Sequence, residues 1–252
     1  MILGSSGKNF IILSILVLVA LTMCKDWYDF YCCGAVDSCL SASGVPQLFF
    51  KFAMSALLTG LAFLVAKDSF SPRDGFFLRI AFVFSLLADF GFSMLKLLCP
   101  ENISLLCGIG FFMVFQVILI YRHSRESESD RNFPKAYLLL AASLIVAFVM
   151  GATGVLSLIS SVVLSYAVFV ITSVIVGVLA PRRGYFPAGN AKFVRRGMLA
   201  FLVGDFLVGL TMLSGEDHGA VQLISSLANN FIWLVYVPAQ LMLIRATAKP
   251  QA

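Results

Sequence analysis

The stretch "SLLADFGFSML", residues 85–95, places a single carboxylate, Asp89, inside an otherwise apolar run. The run continues on both sides over about residues 76–98, and about 20 apolar residues are enough for a helix to cross a bilayer. The stretch "FLVGDFLVGL", residues 201–210, repeats the arrangement around Asp205. Two acidic side chains therefore fall well inside apolar segments, and the fold and the function are both inferred from this pattern.

The composition is that of an integral membrane protein. Of the 252 residues, 60% are hydrophobic and only 12% are charged, whereas a soluble domain carries about 25% charged residues. No low-complexity linker divides the chain, so we expect residues 1–252 to form one all-α transmembrane bundle. The net charge of +5 is explained by basic residues on one side of the membrane, and it requires no nucleic acid partner.

Hydrophobic windows predict eight transmembrane helices with both termini in the cytosol. The predicted spans are about residues 9–24, 47–66, 76–98, 103–121, 136–152, 154–180, 197–214 and 219–244. The glycines of "MGATG", residues 150–154, suit a tight turn between the fifth and sixth spans. A single bent helix at that point would reduce the count to seven.

The basic residues favour eight spans, because Lys and Arg concentrate on the cytoplasmic side of a membrane. With the N-terminus in the cytosol, 15 of the 18 fall on that side, and only Lys25, Lys51 and Lys96 fall on the other. Lys8 precedes the first apolar run as in a signal peptide, but the residues before Cys24 fit a processing site poorly. We therefore expect this helix to be retained. The membrane would be an endomembrane in a eukaryote or the inner membrane in a bacterium.

The outer side of this topology holds four of the six cysteines. Cys32, Cys33 and Cys39 lie in a predicted outer loop over residues 25–46, and Cys99 lies at the outer end of the third span. A disulfide is possible there if that side is oxidising, but the sequence leaves the pairing open. The only histidines, His123 and His218, lie in predicted loops, and no paired CxxC spacing occurs. We predict no metal site and no cofactor.

The two intramembrane aspartates are the first candidates for function. An Asp at the centre of a spanning helix costs roughly 2.5–3.5 kcal/mol on insertion scales, so a function is the default hypothesis. Asp89 and Asp205 lie at similar distances from the cytoplasmic ends of their spans, about 14 Å at 1.5 Å per residue, and they could face a common cavity. The alternative is that each Asp is protonated and hydrogen-bonds a neighbouring helix as a structural contact.

Uncharged polar side chains accompany the two aspartates inside other predicted spans. They are Gln116 in the fourth span, Tyr166 in the sixth, and Asn229, Asn230, Tyr236 and Gln240 in the eighth. Each could be a helix–helix contact, and for Asn229 and Asn230 that reading is at least as good as a functional one.

Five stretches occur in the order and at roughly the spacing found in the YhhN family, whose characterised members are lysoplasmalogenases. They are "FSLLADFGFSML", "GIGFFMVFQVILIY", "YAVFVITSVIVGVLA", "GMLAFLVGDFLVG" and "WLVYVPAQLMLI". The chain resembles this family over about residues 48–245. The resemblance implies a multi-pass helical enzyme that cleaves the vinyl ether bond of lysoplasmalogens to a fatty aldehyde and glycerophospho-ethanolamine or -choline.

The resemblance also implies site residues. The family's two membrane aspartates correspond to Asp89 and Asp205, and its other characteristic positions correspond to Lys51, Gly108, Phe112, Gln116, Tyr166, Tyr236, Ala239 and Gln240. The chain departs from the family pattern at four positions: Gln116 stands for His, Phe52 for Pro, Ala88 for Gly and Gly204 for Ser.

The implied reaction suits two carboxylates, as in glycoside hydrolysis through a similar cation. One Asp would protonate the vinyl carbon, and the other would stabilise the cation and activate water. Gln116, Tyr166, Tyr236 and Gln240 would position the substrate or water, and Lys51 would bind the phosphate. Which Asp takes which role is open at this point. A proton- or cation-coupled transporter and a diverged non-catalytic membrane protein are the alternatives.

Overall fold

The computed structural model describes residues 6–33, 36–126, 134–212 and 220–250, and its architecture is helical throughout that part of the chain. Eight α-helices follow one another: α1 Ser6–Cys33, α2 Val36–Lys67, α3 Pro72–Phe92, α4 Glu101–His123, α5 Pro134–Ala152, α6 Leu158–Val178, α7 Ala188–Thr211 and α8 Ala220–Arg245. Short 3-10 turns occupy Leu95–Leu97 and Ala180–Arg182. The predicted polytopic helical bundle is confirmed.

Seven of these helices are long and apolar enough to span a membrane. The eighth, α7, is more polar because Lys192, Arg195 and Arg196 occupy its first half. Contacts at both of its ends show that it runs antiparallel to α8 over the same depth. Asn190 at its start donates hydrogen bonds to the Ala246 and Ala248 carbonyls at 2.8 and 2.7 Å, and the Thr211 carbonyl at its end accepts from Ser225 at 3.3 Å.

One end of the bundle gathers the segments that the predicted topology places in the cytosol. Lys8 forms an ion pair with Asp68 at 2.6 Å, which joins the start of α1 to the α2–α3 connection. The amide of Phe70 donates to the carbonyl of Thr247 at 3.0 Å, which brings the residues after α8 to the same place. Because most of the basic residues fall at this end, we call it the inner end, and the opposite end the outer end.

The outer end differs from the prediction in one respect. Residues 25–46 were expected to form a loop, but α1 continues to Cys33 and α2 already begins at Val36. At 1.5 Å per residue, α1 is about 42 Å long, which exceeds the roughly 30 Å of a hydrocarbon layer. The polar residues after the apolar run therefore extend a helix beyond the membrane. The second connection at this end agrees with the prediction: α5 ends at Ala152, and Gly154 adopts a left-handed φ of 72° before α6 begins.

Glycines bring α3 and α4 into backbone contact beside Asp89. A Cβ at Gly91 would lie 2.8 Å from the amide nitrogen of Gly108, and a Cβ at Gly108 would meet the Phe92 ring at the same distance. Small residues at helix crossings are the usual means of close packing in membranes. The large exposed side chains lie on other faces, for example Leu138 and Phe148 of α5, which are more than 70% exposed and face lipid.

A buried ion pair joins three segments at the inner end. Arg122 of α4 donates from Nε to Asp74 Oδ1 at 2.9 Å and from Nη2 to Asp74 Oδ2 at 3.0 Å. The same nitrogen donates to the Thr247 hydroxyl at 2.6 Å, and that hydroxyl donates to Asp74 at 2.8 Å. All three side chains have no exposed surface. The cluster therefore fixes α3, α4 and the residues after α8 to one another.

Candidate active site

Asp89 is buried between α2, α3 and α8 and is bound by two hydroxyl groups. Its Oδ2 accepts a hydrogen bond from Ser55 at 2.5 Å and another from Tyr236 at 3.0 Å. The Tyr236 hydroxyl also lies 3.0 Å from the Ser85 hydroxyl, to which Gln240 donates from Nε2 at 3.1 Å. The five side chains form one continuous polar cluster inside the membrane.

Helical spacing explains why these residues meet. Ser85 and Asp89 are four residues apart on α3, and Tyr236 and Gln240 are four apart on α8. Residues at that spacing lie on the same face of a helix, one turn above the other. Each helix therefore presents two successive polar groups to the same seam. In this seam, the described partners of Asp89 are hydroxyl groups, and none of them is a cation.

Asp205 lies in a separate contact between α6 and α7. Its Oδ2 accepts a hydrogen bond from the Tyr166 hydroxyl at 3.0 Å. The carboxyl group is partly exposed, whereas Asp89 is only 8% exposed. Each aspartate is thus paired with a tyrosine from another helix. Asp89 and Asp205 do not share a hydrogen bond, so a direct carboxyl–carboxyl contact does not occur in this arrangement.

Two aromatic contacts connect the tyrosine–aspartate pairs. The Phe112 ring of α4 lies 6.4 Å from the ring of Tyr166 and 6.3 Å from the ring of Tyr236, centroid to centroid. A Cβ at Gly204, next to Asp205, would lie 4.0 Å from the Cα of Tyr236. Asp205 and the tyrosine that binds Asp89 are therefore on adjacent helices at the same level. This agrees with the predicted similar depth of the two acids.

Two amide side chains near these pairs retain unused hydrogen-bonding capacity. Gln116 is fully buried one turn after Phe112 and lies within hydrogen-bonding range of the Tyr166 hydroxyl, but neither its Oε1 nor its Nε2 makes a well-aligned hydrogen bond among the described residues. Gln240 donates a hydrogen bond from Nε2, but its Oε1 accepts none from the described residues. Buried amides normally satisfy these atoms, so their open donors and acceptors suit a bound molecule.

Lys51 lies outside this group, toward the outer end. It is four residues before Ser55 on α2, so the two share a helix face about 6 Å apart along the axis. Its nearest charged neighbours include Asp26 of α1 and Lys96. The structure therefore places Lys51 one turn above the Asp89 cluster rather than within it.

Some members of this site give no signal in the sequence. Ser55 and Ser85 were missed because a hydroxyl in an apolar helix usually bonds to its own backbone and carries no pattern. The only sequence feature that links them to the site is spacing, since Ser55 is four residues after Lys51 and Ser85 is four residues before Asp89. Asp26 fell within the outer loop predicted over residues 25–46, and the structure buries it at 1% exposure.

No thiol or imidazole of the described residues forms a hydrogen bond with this centre. Cys32 and Cys99 are free thiols, and the side chains of Cys33 and Cys39 lie outside the described part. His123 is not in a loop as predicted but ends α4 as a buried side chain, while His218 falls outside the described residues. Within the described ranges, no three His, Cys, Asp or Glu side chains are grouped to hold a metal ion.

The fold and the buried polar centre define a multi-pass membrane protein with a pair of tyrosine-bound carboxyl groups inside the bundle. The family model described as "YhhN family" matches residues 46–247. The chain therefore belongs to the YhhN family, and the match covers α2 through α8 but leaves α1 outside. The search of curated proteins found no match, and neither did the search of solved structures.

Proposed function

We propose that this protein is a hydrolase of lysoplasmalogens that cleaves their vinyl ether bond with Asp89 and Asp205. One observation supports this above the others. Two intramembrane carboxyl groups are each hydrogen-bonded by a tyrosine, neither is paired with a described cation, and the Phe112 ring contacts both tyrosines. Family membership is consistent with the same activity.

The reaction needs a proton donor and a carboxylate. A proton is added to the vinyl carbon remote from the ether oxygen, which leaves an oxocarbenium ion. Water then attacks the carbon next to oxygen and loses a proton, giving a hemiacetal. Protonation of the glycerol oxygen and cleavage of its bond to that carbon release a fatty aldehyde and the glycerophospho head group. Proton transfers by positioned side chains contribute roughly 10²–10⁴-fold to such reactions.

The hydrogen bonds favour one division of the two roles within this proposal. Asp89 Oδ2 accepts from both Ser55 and Tyr236, and two donated hydrogen bonds favour a charged carboxylate. Asp89 would therefore stabilise the oxocarbenium ion and accept the proton of water. Among the described residues, Asp205 accepts only from Tyr166, and it would deliver the first proton from its other oxygen. The open atoms of Gln116 and Gln240 would hold the attacking water and the ether oxygen.

The test is aldehyde release by the purified protein in detergent. We expect the wild type to produce fatty aldehyde from a lysoplasmalogen and none from the saturated alkyl ether of the same length. In D₂O, one deuterium should appear on the carbon next to the aldehyde, because that carbon receives the first proton. Asp89→Asn and Asp205→Asn should each reduce the rate roughly 10²–10⁴-fold.

Detergent also separates hydrolysis from transport, because transport requires a sealed compartment and a gradient. A wild type that releases no aldehyde from either ethanolamine or choline substrate would contradict the proposal. Full activity in either Asn variant would show that the substituted aspartate is a structural contact. Aldehyde without deuterium on the adjacent carbon would exclude protonation of the vinyl group.

A further inference from the structure

A second cluster of polar side chains, one of them a buried carboxylate, lies at the outer end, where α1 meets α2 and α8. Asp26 of α1 is 1% exposed, and its Oδ1 has no hydrogen-bond partner among the described residues. The charge of Lys51 acts on this carboxyl group, and the Asn229 side chain lies within hydrogen-bonding range of it, although the Nδ2 of Asn229 makes no well-aligned hydrogen bond within the described chain. One oxygen of a buried carboxylate is thus open beside a lysine and an amide.

The neighbouring acid on the same helix behaves differently. Asp29, one turn beyond Asp26, is bound through both oxygens by Lys25 at 2.5 Å. Its charge is compensated locally, as expected for a structural ion pair. Asp26 and Lys51 interact by charge but do not form such a direct pair. Burying a carboxylate without a directly contacting cation is costly, so this arrangement suits a ligand that supplies one.

The position of the cluster matches the outer surface of the membrane. Asp26 lies 20 residues after Ser6, the first residue of α1, which is about 30 Å along the helix. That distance is about the thickness of the hydrocarbon layer. If α1 begins at the inner boundary, Asp26 lies at the outer boundary, where lipid head groups are found.

The distance from the cluster to Asp89 matches the dimensions of a lysophospholipid. Lys51 is about 6 Å above Ser55, the serine that binds Asp89. In a lysoplasmalogen, six bonds of about 1.5 Å separate the first vinyl carbon from phosphorus, a reach of roughly 7 Å when extended. A vinyl ether at Asp89 would therefore bring the phosphate to Lys51. The ammonium group lies beyond the phosphate, in the direction of Asp26.

We propose that Asp26, Lys51 and Asn229 form a binding site for a zwitterionic head group, in which Lys51 binds the phosphate and Asp26 binds the ammonium group. The proposal deepens the proposed function and rests on it for the identity of the lipid. Asn229 donates to the phosphate or to the neighbouring hydroxyl of the glycerol. Because α1 lies outside residues 46–247, the ammonium-binding carboxylate comes from the segment that the family match does not include.

The experiment measures binding of saturated alkyl-ether lysophospholipids to the purified full-length protein by calorimetry. These lipids lack the vinyl group and are not cleaved. Three head groups are compared: phosphoethanolamine, phosphocholine and a phosphate monoester without an amine. We expect the wild type to bind the two zwitterionic lipids at least roughly tenfold more tightly than the phosphate monoester, since an added buried charge pair is worth that much or more.

The variants separate the two charges. Asp26→Asn should weaken binding of the zwitterionic lipids roughly tenfold and leave the phosphate monoester within twofold. Lys51→Met should weaken all three. Asp29→Asn is the matched control, because it removes a carboxylate from the same helix that is already paired, and it should leave all three affinities within twofold.

Equal affinity of the wild type for the three lipids would overturn the site without any variant. An Asp29→Asn effect as large as that of Asp26→Asn would overturn it as well. The outcome is independent of the proposed reaction. Head-group-dependent binding without aldehyde release would refute the hydrolase and retain the site, whereas aldehyde release with head-group-independent binding would refute the site alone.

Discussion

Asp74 and Asp89 are both buried carboxyl groups of α3, about four helical turns apart, and they have different surroundings. Asp74, at the inner end, receives two hydrogen bonds from Arg122 and one from Thr247. Asp89, inside the membrane, receives hydrogen bonds from Ser55 and Tyr236. The first acid has a full counter-charge and the second has only neutral donors. Both acids are buried, so it is the charge of the hydrogen-bonding partner that distinguishes a structural carboxyl group from a reactive one.

The largest expected effect on stability is at the buried ion pair between Asp74 and Arg122. Asp74→Asn leaves Arg122 buried without a counter-charge, which should reduce the free energy of unfolding by about 3–5 kcal/mol. Chemical unfolding in mixed micelles measures the change. Glu101→Gln is the control, because Glu101 pairs with Lys96 at an exposed site, and it should cost less than about 1 kcal/mol.

A double variant sharpens that prediction. Replacing both partners, Asp74→Leu with Arg122→Met, removes the unpaired charge and should recover most of the lost stability. A double variant as unstable as the single one would show that the shape of the inner end, rather than the charge balance, determines the cost.

The tyrosines of the two pairs should affect the rate more than the stability. Tyr236→Phe and Tyr166→Phe each remove a hydrogen bond to a carboxyl group, worth about 1.5–3 kcal/mol, and should slow aldehyde release roughly 10- to 100-fold. Tyr137→Phe is the matched control, because its hydroxyl has no described partner and the ring lies in an apolar groove between α4, α5 and α6. Similar losses in all three variants would argue against a specific role for the pairs.

Two glycines near the acids should differ in their tolerance of a methyl group. Gly91→Ala forces a Cβ to within 2.8 Å of the α4 backbone, and overpacking of this kind costs about 1–3 kcal/mol. Gly204→Ala places its Cβ at an ordinary 4.0 Å from Tyr236, so unfolding and aldehyde release should stay close to wild type. A reversed order would show that the α3–α4 crossing relaxes easily.

The smallest expected change is at Gln116. Gln116→His introduces the histidine that the family pattern has at this position. It exchanges one neutral hydrogen-bonding group for another, and a hydrogen bond of this kind contributes about 0.5–1.5 kcal/mol. Aldehyde release should stay within about tenfold of wild type. Its pH profile should gain an inflection that the wild type lacks, because an imidazole can take up a proton and an amide cannot. An unchanged profile would place residue 116 outside the reacting centre.

The sequence predicts the helices well because their signal is local. Seven of the eight helices are long apolar runs, and the turn at "MGATG" needs only the left-handed φ that Gly154 adopts. The error over residues 25–46 has a physical reason, since a helix that leaves the membrane no longer needs apolar residues. Hydrophobic windows therefore end at the bilayer surface although α1 and α2 continue.

The site is less predictable because its contacts join distant parts of the chain. The sequence indicates both membrane aspartates and their similar depth, but it suggested one shared cavity for them. The structure instead gives each acid its own tyrosine, and those partners lie 147 and 39 residues away. Ser55 could not be recognised in advance, because serine is common in membrane helices and only its contact with Asp89 distinguishes it.

The most direct test measures stability and aldehyde release together for Asp89→Asn and Asp74→Asn. We expect Asp89→Asn to fold as stably as wild type or more so, because it removes a buried charge without a cationic partner. We also expect it to lose activity roughly 10²–10⁴-fold. Asp74→Asn should lose stability but keep its activity per folded molecule. Normal activity in Asp89→Asn, together with a selective loss of chemistry in Asp74→Asn, would contradict the account.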